Sequence, residues 1–302
     1  MNGSHMSLDI LTIKYTDHDA DKHFEHSIKH SGFAVINDHP IESDLIDEVY
    51  EDWKNYFSNE DKIKYMFDEV KQDGYFPYLT ENAKGSTAKD LKEFYHIYQW
   101  GRIPEMIGPA TMQLNHQLTE FATTLLSWIE DSAPKSISSL FSMPLNDMIV
   151  NSQFNLFRII HYPPMTGNED ASSIRAAAHE DINLLTVLVA GSEPGLQVLD
   201  ENGEWHDVTT DKNTIVINSG DMLKMASENY YPSTTHRVVN PDPNINVSRY
   251  SMPLFLHPRD EVTLNKEHTA GSYLNERLRA VSYTHLRAHE TEADLVCRLL
   301  LE

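Results

Sequence analysis

The chain has 302 residues, 40% of them hydrophobic, which is enough to bury one large core. Its 46 acidic and 24 basic residues give a formal net charge of −22, which repels phosphate backbones and excludes nucleic acid and an anionic membrane surface as expected partners. The single cysteine, Cys297, allows no internal disulfide, and no apolar run approaches the length of a membrane span. We therefore expect a cytoplasmic protein.

The two ends of the chain differ from its middle. Residues 1–6 contain no secretory hydrophobic region and look like a cloning scar. Residues 7–280 are expected to form a single domain whose β-rich core spans about 150–260. Residues 281–302 have the character of a vector-derived tail, and we expect this tail, with Cys297, to be dispensable for chemistry.

Two segments in the first half of the chain predict helices. Apolar residues recur at helical spacing from Ile46 to Phe57 and again from Leu114 to Ile129, with charged or polar residues on the opposite side. Both stripes are expected to contact the core, and neither segment carries metal ligands.

The second half of the chain reads as short strands separated by turns. An Asn-Gly pair at 202–203 predicts a hairpin between two of these strands. The predicted strands are 184–189, 195–199, 204–208, 214–218 and 234–239. Closely spaced strands with Gly, Pro and Asn turns favour a sandwich or a jelly roll over a parallel sheet with crossover helices.

The tripeptide His179-Glu180-Asp181 predicts half of a metal site. Side chains alternate between the faces of a strand, so His179 and Asp181 point the same way and Glu180 points to the other face. With His236 they supply two histidines and one carboxylate, a set that leaves open positions on Fe(II) for cosubstrate and dioxygen. Among 16 histidines some lie near an aspartate by accident, but this is the only His-x-Asp in the chain, and an apolar strand follows it.

Arg249 and Ser251 predict a binding site for an acid. They are two residues apart and therefore share one face of a strand, where a guanidinium fork and a hydroxyl can hold the same carboxylate. A surface arginine is the ordinary alternative. The apolar residues at 252–256 favour burial instead, and a buried arginine needs an anionic partner.

Taken in order, these motifs resemble those of the isopenicillin N synthase-like family of Fe(II)/2-oxoglutarate-dependent oxygenases. The resemblance covers about residues 30–260. The segments that carry it are 32–39, 41–57, 74–77, 90–93, 157–164, 179–181, 195–198, 218–221, 233–238 and 249–251. It implies a mainly β fold with added helices, in which N-terminal helices pack on a double-stranded β-helix, or distorted jelly roll. It also implies Fe(II), held and used for catalysis by His179, Asp181 and His236, with 2-oxoglutarate as cosubstrate and dioxygen.

The resemblance further implies the residues that hold the cosubstrate. In the family an Arg-x-Ser pair binds the distal carboxylate of 2-oxoglutarate and the tyrosine of a Tyr-Pro motif contacts it, which here are Arg249, Ser251 and Tyr162. Two positions depart from the pattern. Ile160 stands where plant relatives often have an asparagine that contacts the cosubstrate, and Asn183 stands where many relatives have glycine.

The expected reaction is oxidation, by default hydroxylation, of a small-molecule substrate with release of succinate and carbon dioxide. Candidate substrate residues lie in segments that flank the metal in the resemblance. They are Tyr75, Phe76, Phe94, Arg158 and Arg175. Two alternatives stay open: an iron oxidase that works without 2-oxoglutarate, as the penicillin-forming and ethylene-forming relatives do, and a non-catalytic metal-binding protein on a jelly-roll scaffold.

Overall fold

The computed structural model of the protein describes residues 8–81 and 88–277. The expected scar at 1–6 and the expected tail at 281–302, including Cys297, lie outside the described residues. The domain boundaries inferred from the sequence therefore stay predictions.

The described chain places its helices mainly before residue 150 and most of its strands after it. The strands are β1 Thr12–Lys14, β2 Phe33–Asn37, β3 Gly74–Phe76, β4 Glu93–Ile97, β5 Leu156–Tyr162, β6 Ala176–His179, β7 Leu185–Val189, β8 Leu196–Leu199, β9 Trp205–Asp207, β10 Ile215–Ser219, β11 His236–Val238 and β12 Arg249–Leu256. The α-helices are α1 Ala20–Ser31, α2 Ser43–Ser58, α3 Ala110–Ser132, α4 Lys135–Ser138, α5 Leu145–Met148 and α6 Asp221–Ala226. Short 3₁₀ helices span Glu60–Tyr65 and Pro243–Ile245, and residues 270–277 are helical.

Both helices predicted from apolar spacing are present, as α2 and α3. Each buries its apolar stripe, which in α2 includes Val49 and Trp53 and in α3 includes Leu118 and Leu125. Gly32 ends α1 in the left-handed conformation, with φ of 72°, and a side chain there would collide with the hydroxyl of Thr234. The chain can therefore turn from α1 directly into β2. None of the described helices is long and apolar enough to cross a membrane.

The strands form two facing sheets, as the jelly-roll prediction requires. The larger sheet has the order β1-β2-β10-β7-β12-β5-β4-β3 and the smaller has the order β6-β11-β8-β9. All neighbouring strands are antiparallel except β1 and β2. The predicted hairpin is confirmed as β8 and β9, with Gly203 in its turn at φ of 82°.

Two apolar clusters result, one on each face of the larger sheet. The outer cluster packs α1, α2 and α3 against that sheet, and the inner cluster fills the space between the two sheets. Inner residues include Phe94, Ile160 and Tyr162 from the larger sheet and Val198 and Val238 from the smaller. Because side chains alternate along a strand, β5 and β12 also direct every second residue into this inner space.

Candidate active site

The three predicted metal ligands meet at one end of the smaller sheet. β6 ends at His179, β11 begins at His236, and these two residues pair across the strands. The Oδ1 atom of Asp181 lies 3.8 Å from the Nε2 atom of each histidine. Asp181 follows the strand instead of lying within it, but the alternation continues, since Asp181 is buried and Glu180 is exposed. Among the described residues, these ligand atoms lie within 4.8 Å of one another.

Both histidines are oriented with Nε2 toward this meeting point. The Nδ1 atom of His179 lies 2.7 Å from the carbonyl oxygen of Ala177, and that of His236 lies 3.1 Å from the carbonyl oxygen of Thr234. A carbonyl oxygen only accepts hydrogen bonds, so Nδ1 carries the proton and Nε2 keeps its lone pair for a metal. Burial and the neighbouring His236 lower the pKa of His179 to about 4, which keeps this imidazole neutral near pH 7.

Asp181 is held by hydrogen bonds to the carboxylate oxygen that faces away from the histidines. Its Oδ2 atom accepts hydrogen bonds from the hydroxyl of Thr186 at 2.6 Å and from Nδ2 of Asn218 at 2.8 Å. Asn183 in turn donates to the Thr186 hydroxyl at 2.9 Å. Burial alone would raise the pKa of Asp181, but the two histidines and these two donors lower it below its ordinary value. The carboxylate is therefore ionised, with Oδ1 free to bind a metal.

The donor set fits Fe(II). Two imidazoles that present Nε2 and one monodentate carboxylate, all approaching from one side, match the facial arrangement that leaves coordination positions for other ligands. His179, Asp181 and His236 would hold the ion. The hydrogen bonds behind each of them fix which atom faces it.

Arg249 lies on the inner face of the larger sheet, beside the other two proposed cosubstrate residues. It pairs with Tyr162 across β12 and β5, and Ser251 pairs with Ile160. The guanidinium carbon lies 5.2 Å from the centre of the Tyr162 ring, and Nε donates to the carbonyl oxygen of Glu193 at 2.9 Å. Nη1 is buried without a hydrogen-bond partner in the described part of the chain. A buried cation with a free donor suits a carboxylate.

Both departures from the family pattern have a structural counterpart. Ile160 is buried in the inner cluster next to Ser251, so an apolar side chain stands where plant relatives often have an amide. Asn183 is fully buried and donates to Leu185 and to Thr186, the residue that holds Asp181. Its amide therefore supports the metal site indirectly.

The structure brings together three of the five predicted substrate residues. The rings of Phe76 and Phe94 stack with centroids 4.6 Å apart, and the guanidinium carbon of Arg158 lies 4.5 Å from the Phe94 centroid. Tyr75 lies on the opposite face of β3, in the outer cluster, where its hydroxyl donates to Glu93. Arg175 lies elsewhere, with its guanidinium carbon 5.9 Å from the centre of the Tyr162 ring.

Sequence reasoning missed a buried ion network beside these rings. Lys92 places Nζ 2.7 Å from Glu81 and 2.8 Å from Asp90, and Arg158 lies 3.3 Å from the same Glu81 carboxylate. Although burial lowers the pKa of Lys92, the two carboxylates raise it above its ordinary value. Nε of Arg158 also donates to His96 at 2.8 Å. The sequence feature that could have indicated this network is the pair of opposite charges at Asp90 and Lys92, two residues apart. This signal is weak in a chain with so many acidic residues.

Comparison with known proteins agrees with this site. Residues 150–258 match the 2OG-Fe(II) oxygenase superfamily, and residues 8–116 match the N-terminal region described as non-haem dioxygenase in morphine synthesis. A solved protein from Shewanella oneidensis, assigned as an oxygenase, is 47% identical with a TM-score of 0.81 and covers 90% of this chain and 98% of that chain. A 2-oxoglutarate-Fe(II) type oxidoreductase of Emericella nidulans is 28% identical over 257 residues, which are 76% of this chain and 71% of the relative.

A further solved structure shares the fold. It is a full-length Neurospora crassa protein in complex with alpha-KG and thymine, which is 23% identical with a TM-score of 0.73 and covers 90% of this chain and 96% of that chain. The family matches, the relatives and the His-Asp-His group together distinguish an enzyme from a non-catalytic metal-binding scaffold. The chain belongs to the 2OG-Fe(II) oxygenase superfamily and is an Fe(II)- and 2-oxoglutarate-dependent dioxygenase.

Proposed function

We propose that this enzyme hydroxylates a small molecule at the end of the space between its two sheets. The proposed iron ligands are His179, Asp181 and His236, and the proposed residues for the distal carboxylate of 2-oxoglutarate are Arg249, Ser251 and Tyr162. The observation that carries the proposal is the convergence of two Nε2 atoms and one carboxylate oxygen beside an inner face that also holds a buried arginine with a free donor. Bound there, Fe(II) with 2-oxoglutarate and dioxygen would supply the oxidant that inserts oxygen into a C–H bond.

The chain's own residues then position and protect the reactants. The backbone carbonyls of Ala177 and Thr234 accept from Nδ1 of the two histidines and so turn Nε2 of each ring toward the metal position, and the Thr186 hydroxyl keeps the Asp181 carboxylate turned toward them. Arg249 orients the cosubstrate by a charge-assisted pair at the end far from the reacting carbon. The apolar inner cluster excludes water, which would otherwise permit turnover without substrate.

The proposed substrate is a small molecule with an apolar or aromatic body and uncharged polar edges. The candidate region beside Phe76 and Phe94 contains two cations and two carboxylates that already pair with one another, so it offers no net charge to a charged substrate. Hydrogen bonding is then the available means of recognition. The thymine bound by the Neurospora protein of the same fold is a small molecule of this kind and supports the proposal.

The proposed compartment is the cytoplasm. Its reducing conditions keep both Fe(II) and the lone thiol of Cys297 in their reduced forms. The net charge of −22 supports a small-molecule partner over nucleic acid.

A substrate screen with the Fe(II)-loaded protein tests the reaction. We expect one compound to gain the mass of one oxygen atom with release of one equivalent of succinate. His236→Ala should abolish both signals, and His206→Ala, in the β8–β9 hairpin, should abolish neither. Oxidation of a compound without succinate would contradict the proposal and point to the oxidase alternative.

Truncation of Arg249 tests the cosubstrate anchor. Removing one partner of a desolvated charge pair costs about 2–5 kcal/mol, so Arg249→Ala should weaken 2-oxoglutarate binding well over tenfold and leave the metal bound. The matched control is Arg237→Ala, because Arg237 pairs with Gln197 and stacks on Trp205 instead. Calorimetric titration of both variants in the Mn(II) form measures the effect. A change below threefold for Arg249→Ala would identify a different anchor.

A further inference from the structure

Two buried arginines, not one, lie beside Tyr162. Arg175 immediately precedes β6 and is 1% exposed, and Arg249 is 3% exposed. Their guanidinium carbons lie 5.9 Å and 5.2 Å from the centre of the Tyr162 ring. No carboxylate oxygen lies within 4.0 Å of either guanidinium in the described ranges. The inner space therefore contains two adjacent positive charges that form no ion pair with a carboxylate of the described residues, although the charge of Glu193 acts on Arg175 from a greater distance.

Neutral backbone carbonyls make the only hydrogen bonds of these two guanidinium groups within the described chain. Nη2 of Arg175 donates to Val247 at 2.6 Å, and Nε of Arg249 donates to Glu193 at 2.9 Å. Nε of Arg175 and Nη1 of Arg249 are buried and have no partner among the described residues. A carbonyl dipole does not neutralise a buried charge, and a buried N–H group without an acceptor is unfavourable. Each arginine thus has both a charge and a donor left for a ligand.

The position of Arg175 is fixed by the surrounding backbone. Its own N–H donates to Oδ1 of Asn240 at 3.0 Å, and Nδ2 of Asn240 donates to the carbonyl oxygen of Ser173 at 3.0 Å. Burial and the positive charge of Arg249 lower the pKa of Arg175, which is consistent with two cations held close together. The guanidinium nevertheless stays charged, because arginine is not deprotonated in proteins.

The backbone of Arg175 is set back from the proposed metal ligands. It precedes His179 by four residues along an extended segment, which places its backbone about 13 Å from that of His179 at 3.2–3.4 Å per residue. Phe76, Phe94 and Arg158 form a separate group, whereas Arg175 shares Tyr162 with Arg249. The geometry thus connects Arg175 with the cosubstrate residues and not with the substrate residues.

We propose that Arg175 binds the distal carboxylate of 2-oxoglutarate together with Arg249, so that two guanidinium groups hold one carboxylate beside Tyr162. The inference rests on the proposed function, in which Arg249 is the first anchor. It replaces the expectation that Arg175 binds a substrate. It also offers a reason why Ile160 is tolerated where relatives have an amide, since the second arginine supplies donors that Ile160 lacks.

The test compares a 2-oxo acid that has a distal carboxylate with one that lacks it. Arg175→Met removes the charge and keeps an apolar side chain of similar length. Titration of the Mn(II)-loaded variant by calorimetry should show at least a tenfold rise in the Kd of 2-oxoglutarate and less than a twofold change in the Kd of pyruvate. Arg237→Met is the matched control and should change neither value.

The possible outcomes separate this inference from the proposed function. If Arg249→Met weakens 2-oxoglutarate binding and Arg175→Met does not, the second anchor is refuted and the first stands. If Arg175→Met changes only the KM of an identified substrate, the residue belongs to the substrate site and the inference is wrong. If neither variant weakens 2-oxoglutarate binding, both the second anchor and the proposed role of Arg249 are wrong.

The unmodified enzyme gives a second readout, which does not depend on the folding of a variant. In ¹⁵N-labelled protein loaded with Zn(II), the assigned Nε–H signal of Arg175 should shift and exchange more slowly with solvent on addition of 2-oxoglutarate. Pyruvate should leave this signal in place. A signal that responds equally to both acids, or to neither, would overturn the inference.

Discussion

At the scale of single residues, the metal site depends on side chains that do not bind the metal. The Thr186 hydroxyl donates to Oδ2 of Asp181, and the same hydroxyl accepts a hydrogen bond from Nδ2 of Asn183. Asn218 supplies the second donor to the same carboxylate oxygen. This relay presents Oδ1 alone to the histidines. It also explains why a buried asparagine at position 183 suits this chain.

Thr186→Val removes the relay with little change of shape. Loss of a hydrogen-bonded group behind a metal ligand typically lowers metal affinity 10–100-fold, and we expect a loss of Fe(II) affinity in that range. The fold should persist, because Asn218 still satisfies Oδ2 and Asn183 still donates to Leu185. Competition against a chelator of known affinity, under anaerobic conditions, measures the loss.

Two further variants control this experiment. Thr186→Ser keeps the hydroxyl and should restore most of the affinity. Thr235→Val removes a hydroxyl of the same kind that donates to the exposed Glu180, beside His236 but away from the metal, and should have no effect. Equal affinities for Thr186→Val and Thr235→Val would show that the relay does not position Asp181.

At the scale of elements, one buried ion network joins the two sheets. Asp90 and Lys92 directly precede β4 in the larger sheet, while Oδ1 of Asp90 accepts the backbone N–H of Ala177 on β6 of the smaller sheet. Lys92 also pairs with Glu81, which pairs with Arg158 on β5. The network therefore fixes the strand that ends in His179 relative to the sheet that carries Arg249.

Lys92→Met should be strongly destabilising. It leaves the nearly buried Asp90 without its cation, and breaking a buried pair from one side typically costs about 3–5 kcal/mol. The control is Lys212→Met, whose exposed pair with Asp47 should contribute about 0–1 kcal/mol. Urea unfolding gives both free energies of unfolding. Similar values for the two variants would mean that the network is solvated and does not tie the sheets together.

The sequence was most informative where the two-residue alternation of a strand decides which way a side chain points. His179 and Asp181, like Arg249 and Ser251, are two residues apart, and an extended backbone places such residues on one side, even where, as at Asp181, the strand has just ended. The same rule shows why Tyr75 and Phe76 cannot both face the inner space, since they are consecutive residues of β3. Only the register of the sheet tells which of the two faces inward.

Contacts between segments that are distant in the chain could not be predicted from the sequence. The pairing of Lys92 with Glu81 depends on how a loop folds over the edge of the larger sheet, and the shared position of Arg175 and Arg249 depends on how the two sheets face one another. Neither of these two contacts follows from the spacing of residues within one helix or strand. The proposal that Arg175 binds the cosubstrate therefore rests on the tertiary structure.

At the scale of the whole molecule, burial favours the neutral form of several histidines. Burial lowers the pKa values of His179 and His257 to about 4, and it holds that of His96 well below the ordinary value of 6.5. In the unfolded chain these groups titrate near 6.5. Their neutral state therefore stabilises the fold fully above about pH 6.5, and this stabilisation is lost as the pH falls toward 4.

The metal-free protein should lose stability in this window, before most carboxylates are protonated. The unfolded state binds protons near pH 6.5 and the folded state does not, so the free energy of unfolding falls with falling pH, by up to about 3 kcal/mol for the buried His257, whose pKa moves from 6.5 to about 4. The contribution of His179 is smaller, because its side chain is 38% exposed and solvent screens its charge. His257→Gln removes one such group without touching the proposed ligands and should flatten the decline. His116→Gln, at a largely exposed position, should not. Urea unfolding in the presence of a chelator, at several pH values between 7.5 and 4.5, gives the free energy of unfolding as a function of pH. If its slope against pH is the same for His257→Gln and the unmodified protein, His257 is protonated as readily in the folded as in the unfolded chain, and the prediction is wrong.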